Sequence, residues 1–211
     1  MKYQKEGKSF LPNMLEKFKK LRMWSSIENC KLIPVSYHIY TTKGIILSER
    51  PIKEADRVYS ILTRELGLIH ATALGVRKEA SKLRGALEPL SLSRISLVRG
   101  KEYWRITSGE FLQNFSSMRE MARPLSLLEK LVQGEEPHPE LFDVVEGAVV
   151  SRWSTSDVDQ EMFEMRLVAK ILYQLGYLHE SDLNLDPSVD EAGRKALIKA
   201  INIGIQASQL T

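Results

Sequence analysis

Between residues 37 and 107 apolar and polar positions alternate in short runs separated by turn residues, the pattern of β-strands. The first run, 37–48 (YHIYTTKGIILS), is rich in β-branched and aromatic types that suit a pleated, half-buried surface. Gly44 interrupts it and predicts a bulge or sharp bend. A polar connection over 49–55 carries Pro51. The second run, 56–65, places Val58, Ser60 and Leu62 on one side and Tyr59, Ile61 and Thr63 on the other. A third run spans Gly67 to Val76, and the basic stretch 77–84 (RKEASKLR) follows it. A fourth strand fits 88–98, with a bulge before Ile95. Beyond the turn Arg99-Gly100-Lys101 a fifth fits 102–107.

After Gly109 the period changes to three and four residues, the spacing of helices. Leu112, Phe115, Met118 and Met121 share one face; Pro124 is expected to break or restart the helix, which Leu125, Leu128 and Leu131 continue. Residues 134–139 (GEEPHP) predict a loop and 139–150 a helix that proline opens. The next helix, 160–175, buries Phe163, Leu167, Ile171 and Leu175, and Gly176 suits its C-terminal cap. A last helix is predicted over 189–207, with Asp190 and Glu191 well placed at its start. Upstream of the strands, Phe10, Met14, Phe18 and Leu21 make one narrow helical stripe crowded by Lys17, Lys19, Lys20 and Arg22. Docking on the body or partial disorder fits that segment better than a membrane surface.

The reading is an α+β chain in three parts: a basic N-terminal extension (1–34), a five-stranded barrel (35–110) and an all-α helical domain (111–211). Five short strands with a long middle connection suit the OB-fold, which binds single strands. Strand count also allows an SH3-like barrel or a small sandwich. Charge supports the division: the three parts carry +5, +5 and −7. A basic domain attracts polyanions, because each neutralised phosphate releases condensed counterions.

Candidate chemistry is sparse. Cys30 is the only cysteine, and the four histidines lack metal-ligand spacing, so no metal or cofactor is expected. No GxSxG, P-loop or GxGxxG occurs, and no carboxylate pair stands out, which favours a binding protein over an enzyme. No apolar run reaches the length of a membrane span, and no secretory pattern is present, so a cytoplasmic location is expected. Arg77, Lys78, Lys82 and Arg84 crowd one loop, where they can follow a phosphate backbone. Arg57, Arg64, Arg99, Lys101 and Arg105 extend this candidate DNA-binding set. Tyr59, Tyr103 and Trp104 lie among those arginines and are candidates for base stacking. Alternation puts Tyr103 and Trp104 on opposite faces, so one of the two belongs in the core.

Residues 44–104 resemble the N-terminal domain of the RecO family of DNA-repair proteins. The resemblance rests on Gly44–Leu47 (GIIL), Glu54–Arg57 (EADR), Leu62–Gly67 (LTRELG) and Ser81–Pro89 (SKLRGALEP), in that order. A weaker match is Phe163–Leu178 (FEMRLVAKILYQLGYL). The resemblance implies an OB-fold followed by a helical domain, and single- and double-stranded DNA as ligands. It also implies annealing of complementary strands, partnership with RecR, contact with the C-terminal tail of single-strand-binding protein, and indirect help in loading RecA at the nucleoid. Phe163 and Arg166 are the candidate partner-binding residues. Some family members carry a four-cysteine zinc module in the helical domain, which this chain lacks. A 34-residue leader is unusual for the family, and translation from Met23 is one expectation. The alternatives are an RNA-binding OB-fold protein and a protein-interaction scaffold.

Overall fold

The computed structural model describes residues 38–115, 117–154, 159–183 and 191–208. The basic N-terminal extension and Cys30 lie outside the described residues. Five strands are followed by helices, the expected α+β order. The strands are β1 (Ile39–Pro51), β2 (Arg57–Thr63), β3 (Gly67–Ala73), β4 (Ser91–Arg99) and β5 (Trp104–Asn114). The helices are α1 (Arg119–Leu131), α2 (Pro139–Ser154), α3 (Gln160–Gln174), the short α4 (Glu180–Leu183) and α5 (Glu191–Ala207).

The sheet order is β1-β2-β3-β5-β4, closed into a barrel. Antiparallel β1 pairs with β2 on one side and with β4 on the other. A short parallel contact, Ala71 with Trp104 and Thr72 with Arg105, joins β3 to β5. Register explains why strand alternation is blurred in the sequence. Ile69, Ile61 and Ile46 align across β3, β2 and β1, and all three point into the barrel interior. The neighbouring row, Leu68, Leu62, Ile45 and Leu92, crosses four strands and faces the helices instead. Both sides of β2 are therefore buried, and its residues read as a continuous apolar run.

That outer row shares one core with Met121, Leu125 and Leu128 of α1, Phe142 and Val145 of α2, and Leu167, Ile171 and Leu172 of α3. Tyr37–Thr211 accordingly forms one compact unit. Each such leucine contributes about 1.5–3 kcal/mol by burial. The same burial outweighs Pro124, which lies inside α1 and does not break it. Proline removes one backbone bond in the second turn, at a cost of about 3 kcal/mol. Met121, Leu125 and Leu128, all essentially without exposure, offset it.

Several boundaries differ from expectation. β1 runs to Pro51, because Glu49, Arg50 and Pro51 stay in register with Tyr59, Val58 and Arg57. Proline at that last position needs no ladder donor. β5 runs to Asn114, so Leu112 belongs to a strand and not to a helix; pairing with Ser91 and Leu92 of β4 holds it extended. Gly44 is paired on both sides, and the β1 irregularity falls between Ile46 and Ser48. Its lack of a side chain serves packing: a Cβ there would lie 2.7 Å from Ile61 Cγ2. β4 itself has no bulge before Ile95: the β4–β5 register shifts at Leu92/Ser93 and Ser96/Leu97, where the extra residues are Leu112 and Thr107 of β5. α3 behaves as expected. Asp159 accepts a hydrogen bond from the Glu161 N–H at 3.0 Å, and Gly176 closes the helix with Tyr177 N–H on the Leu172 carbonyl at 2.8 Å.

Gly67 marks the closest approach of barrel and helical parts. Its φ of +70° suits glycine, and a Cβ would collide with the backbone of Glu136. Gly134 also has positive φ, but nothing lies near its Cβ position. Gly134→Ala should cost only the backbone strain of about 1–2 kcal/mol. Gly67→Ala should cost clearly more, because Glu136 must also move. Thermal unfolding of the two variants measures the difference, and equal midpoints would show that this close approach adds nothing to stability.

Candidate nucleic-acid interface

The candidate cations fall into two groups. In the first, acidic side chains of the helical part hold barrel cations. Arg64, just after β2, makes a fork to Asp143 of α2, with Nε and Nη2 donating at 2.9 and 3.0 Å. Lys43 Nζ lies 2.6 Å from Glu146. Arg99 pairs with Glu135, and Trp104 Nε1 donates to the same carboxylate at 3.1 Å. Ser48 donates to Glu129 at 2.6 Å. Two further arginines pair within the barrel, Arg57 with Glu49 and Arg94 with Glu110. Arg57, Arg64 and Arg99 are thus already paired with carboxylates, which weakens their case as phosphate contacts.

The second group is exposed. The 77–84 stretch forms turns that lead into a single 3-10 turn, Arg84–Ala86. It is tied to the β1–β2 connection by Gly75 N–H on Asp56 Oδ1 at 2.7 Å and Arg77 Nη1 on the Glu54 carbonyl at 2.9 Å. Two loops distant in sequence therefore form one ridge. Arg77, Lys78, Lys82 and Arg84 project from it, and so do the exposed Arg50 and Lys53. Those last two were missed in the sequence, where they stand among Glu49, Glu54 and Asp56 and add no local charge excess. Lys101 is exposed in the β4–β5 turn, and Arg105 is exposed on β5 beside Thr72.

The aromatic candidates separate sharply. Tyr59 is 2% exposed and Trp104 5%, so neither offers a face to a base; both are core residues. Trp104 is enclosed by the Tyr40 ring, edge-on at 5.2 Å, and by the Arg99 guanidinium 4.8 Å from its centroid. Tyr103 is exposed, but it lines a groove of about 460 Å³ with Glu102, Glu129 and Glu135. Those carboxylates repel phosphate. Tyr40, which the strand pattern did not single out, is 42% exposed on the barrel surface. Phe163 is half-buried against the helical core, and Arg166 is exposed on α3 with an interaction of its own.

Among the described residues no cluster of ligating side chains could hold a metal ion. No described helix is long and apolar enough to cross a membrane.

With this geometry in place, comparison with known proteins is informative. The family described as recombination protein O, N-terminal, matches residues 37–115. That span covers β1 to β5 and ends at Phe115, where the strands give way to helices. Residues 37–115 are thus a RecO-type N-terminal domain. The chain is similar to the DNA repair protein RecO of Dehalococcoides mccartyi strain BAV1, 46% identical over 82 residues, which are 39% of this chain and 32% of that protein. A longer match is the RecO of Heliobacterium modesticaldum, 31% identical over 159 residues, 70% of this chain and 55% of the relative. The RecO of Pelotomaculum thermopropionicum is 32% identical over 146 residues, 66% and 56% of the two chains. The matched segments thus span from a third to just over half of these RecO relatives.

The Arg64 fork lowers the pKa of Asp143 below the ordinary carboxylate value, first through the hydrogen bond itself. A free aspartate titrates near ~3.9. The folded value is lower, so the pair stabilises the fold at pH above the unfolded value and stops doing so as pH falls through the folded one. Both groups are exposed, so the effect is small and salt-sensitive. Asp143→Asn should remove part of the acid-side fall in thermal midpoint and part of its salt dependence. Superimposable acid titrations of the two proteins would show that the fork does not contribute.

Proposed function

We propose that this chain is a non-enzymatic nucleic-acid binder acting in DNA repair and recombination, with an OB-fold barrel as its binding part. The observation that carries the reading is the ridge of Lys53, Arg77, Lys78, Lys82 and Arg84, exposed on two tied loops, with Arg50 at the end of β1, in a barrel that matches recombination protein O. OB-folds bind strands through the β2–β3 face and the loops. Here Leu62 and Leu68 of β2 and β3 lie under the helices, which covers one end of that face and gives the loops the larger share of the binding.

The mechanism needs no chemical step. Two complementary strands repel each other, and mobile cations lower that repulsion by replacing condensed counterions. Contacts to phosphate carry no sequence information, as annealing of arbitrary strands requires. Single- and double-stranded DNA are the proposed ligands. RecR, the C-terminal tail of single-strand-binding protein and, indirectly, RecA are the proposed partners, with Phe163 and Arg166 on α3 as the contact considered for the acidic tail. The cytoplasm, at the nucleoid, is the proposed location. The reading includes no catalysis and no cofactor.

Replacing Arg77, Lys78, Lys82 and Arg84 together by alanine should weaken binding equally for all sequences. It should also flatten the salt dependence, by about 0.7 in log–log slope for each lost single-strand contact. Fluorescence anisotropy with labelled oligonucleotides across a salt series measures both. An unchanged slope removes the ridge from the interface. Competition between DNA and RNA at fixed salt separates this reading from an RNA-binding protein, and absence of retention at moderate salt would favour a scaffold.

A further inference from the structure

Where the β3–β4 connection folds over the barrel, a half-open cleft of about 380 Å³ remains. Arg57, Arg77 and Arg84 line it, together with the carboxylates Glu49 and Glu88. Both carboxylates are engaged: Glu49 pairs with Arg57, and Glu88 accepts from Asn114 Nδ2 at 3.0 Å. Arg77 uses one donor on the Glu54 carbonyl and keeps others. Arg84 has no side-chain partner among the described residues. Beneath them lies Tyr59, whose ring belongs to the barrel core and whose side chain also lines the cleft.

Two donors here lack an acceptor. Arg57 Nε is buried and makes no hydrogen bond. The Tyr59 hydroxyl makes none among the described residues either, but it is not fully enclosed and keeps access to the cleft. Burial raises the phenol's pKa, so it remains protonated and able to donate. Buried donors in folded proteins are almost always satisfied, so the orphaned Arg57 Nε of a cleft residue, beside an unpartnered phenol, points to a missing acceptor.

We propose that this cleft receives one phosphate monoester, the terminal phosphate of a nucleic-acid strand or that of a free nucleotide. Planar guanidinium forks match phosphate oxygens in pairs, and a dianion with three terminal oxygens answers Arg77, Arg84, the free Nε of the Glu49-paired Arg57 and the phenol better than an internal diester does. The shape agrees. Tyr59 and Leu87 also line the cleft, and the open side leaves room for a single strand end to enter. Its volume lies at the small end of ligand pockets, roughly 300–1,000 Å³. Only the strand as a source rests on the nucleic-acid reading above; the recognition of a monoester does not.

The test titrates the full chain with oligonucleotides of one sequence bearing a 5′-phosphate, a 3′-phosphate or neither, with AMP and inorganic phosphate as competitors. One phosphorylated end should bind about ten-fold tighter than the bare strand, equivalent to about 1.4 kcal/mol. Tyr59→Phe keeps the core volume and should erase that preference while leaving the unphosphorylated strand unaffected; Arg84→Gln should erase it too. Preference without competition by AMP assigns the cleft to strand ends, and competition by AMP shows that a free nucleotide suffices. Equal affinity for all three strands with no competition overturns the cleft and leaves strand binding intact. A preference that survives both substitutions overturns it as well. If no strand binds, the nucleic-acid reading fails separately. Calorimetry with AMP then decides the cleft: binding lost in Tyr59→Phe supports it, and no binding ends it.

Discussion

The fold depends on the apolar row Leu68–Leu62–Ile45–Leu92 on the outside of the barrel. A small barrel needs only its interior filled, and here Ile46, Ile61, Ile69, Ile95 and Leu97 do that. The second, outer row has no role in closing the sheet. It exists to be covered, and α1 to α3 cover it with a continuous hydrophobic core. From that single constraint follow the burial of both faces of β2, the close approach at Gly67, the persistence of α1 through Pro124, and the cover over the Leu62–Leu68 end of the β2–β3 face.

Electrostatics follows the same seam. The sequence pairs a basic middle with an acidic end, and that asymmetry suggests different partners for each. In the structure part of it is internal. Asp143, Glu146, Glu129 and Glu135 turn toward the barrel and take Arg64, Lys43, Ser48, Arg99 and Trp104 as partners. Exposed pairs of this kind add little stability each. Their larger effect is on the charge left unpaired: cations near the seam are held by carboxylates, while Lys53, Arg77, Lys78, Lys82 and Arg84 stay exposed on the two tied loops.

Much of the architecture was legible in the sequence because periodicity is a local property. All five strands and the main helices were found, as was the Gly176 cap, since burial on one face imposes a period that a single segment records. What escaped was set by distant partners. β5 reaches Asn114 because β4 holds it, yet Leu112, Phe115 and Met118 happen to fall at helical spacing. Pro124 looked like a break, because the buried neighbours that outweigh it lie elsewhere in the chain. The site was legible as composition and not as geometry. The 77–84 cluster was evident, but Arg50 and Lys53 join it only through the Asp56–Gly75 and Glu54–Arg77 bonds. Alternation correctly demanded that one of Tyr103 and Trp104 be internal; only closure through the Ala71–Trp104 contact selects Trp104.

The span shared most clearly with relatives stops at Phe115, yet the folding unit does not. A barrel severed there would carry a greasy stripe of leucine and isoleucine into solvent, with Phe115 at its frayed end. Such a fragment would be prone to self-association before it met any ligand. Evolutionary modularity and physical autonomy thus part company in this chain: the most recognisable piece is not a free-standing one.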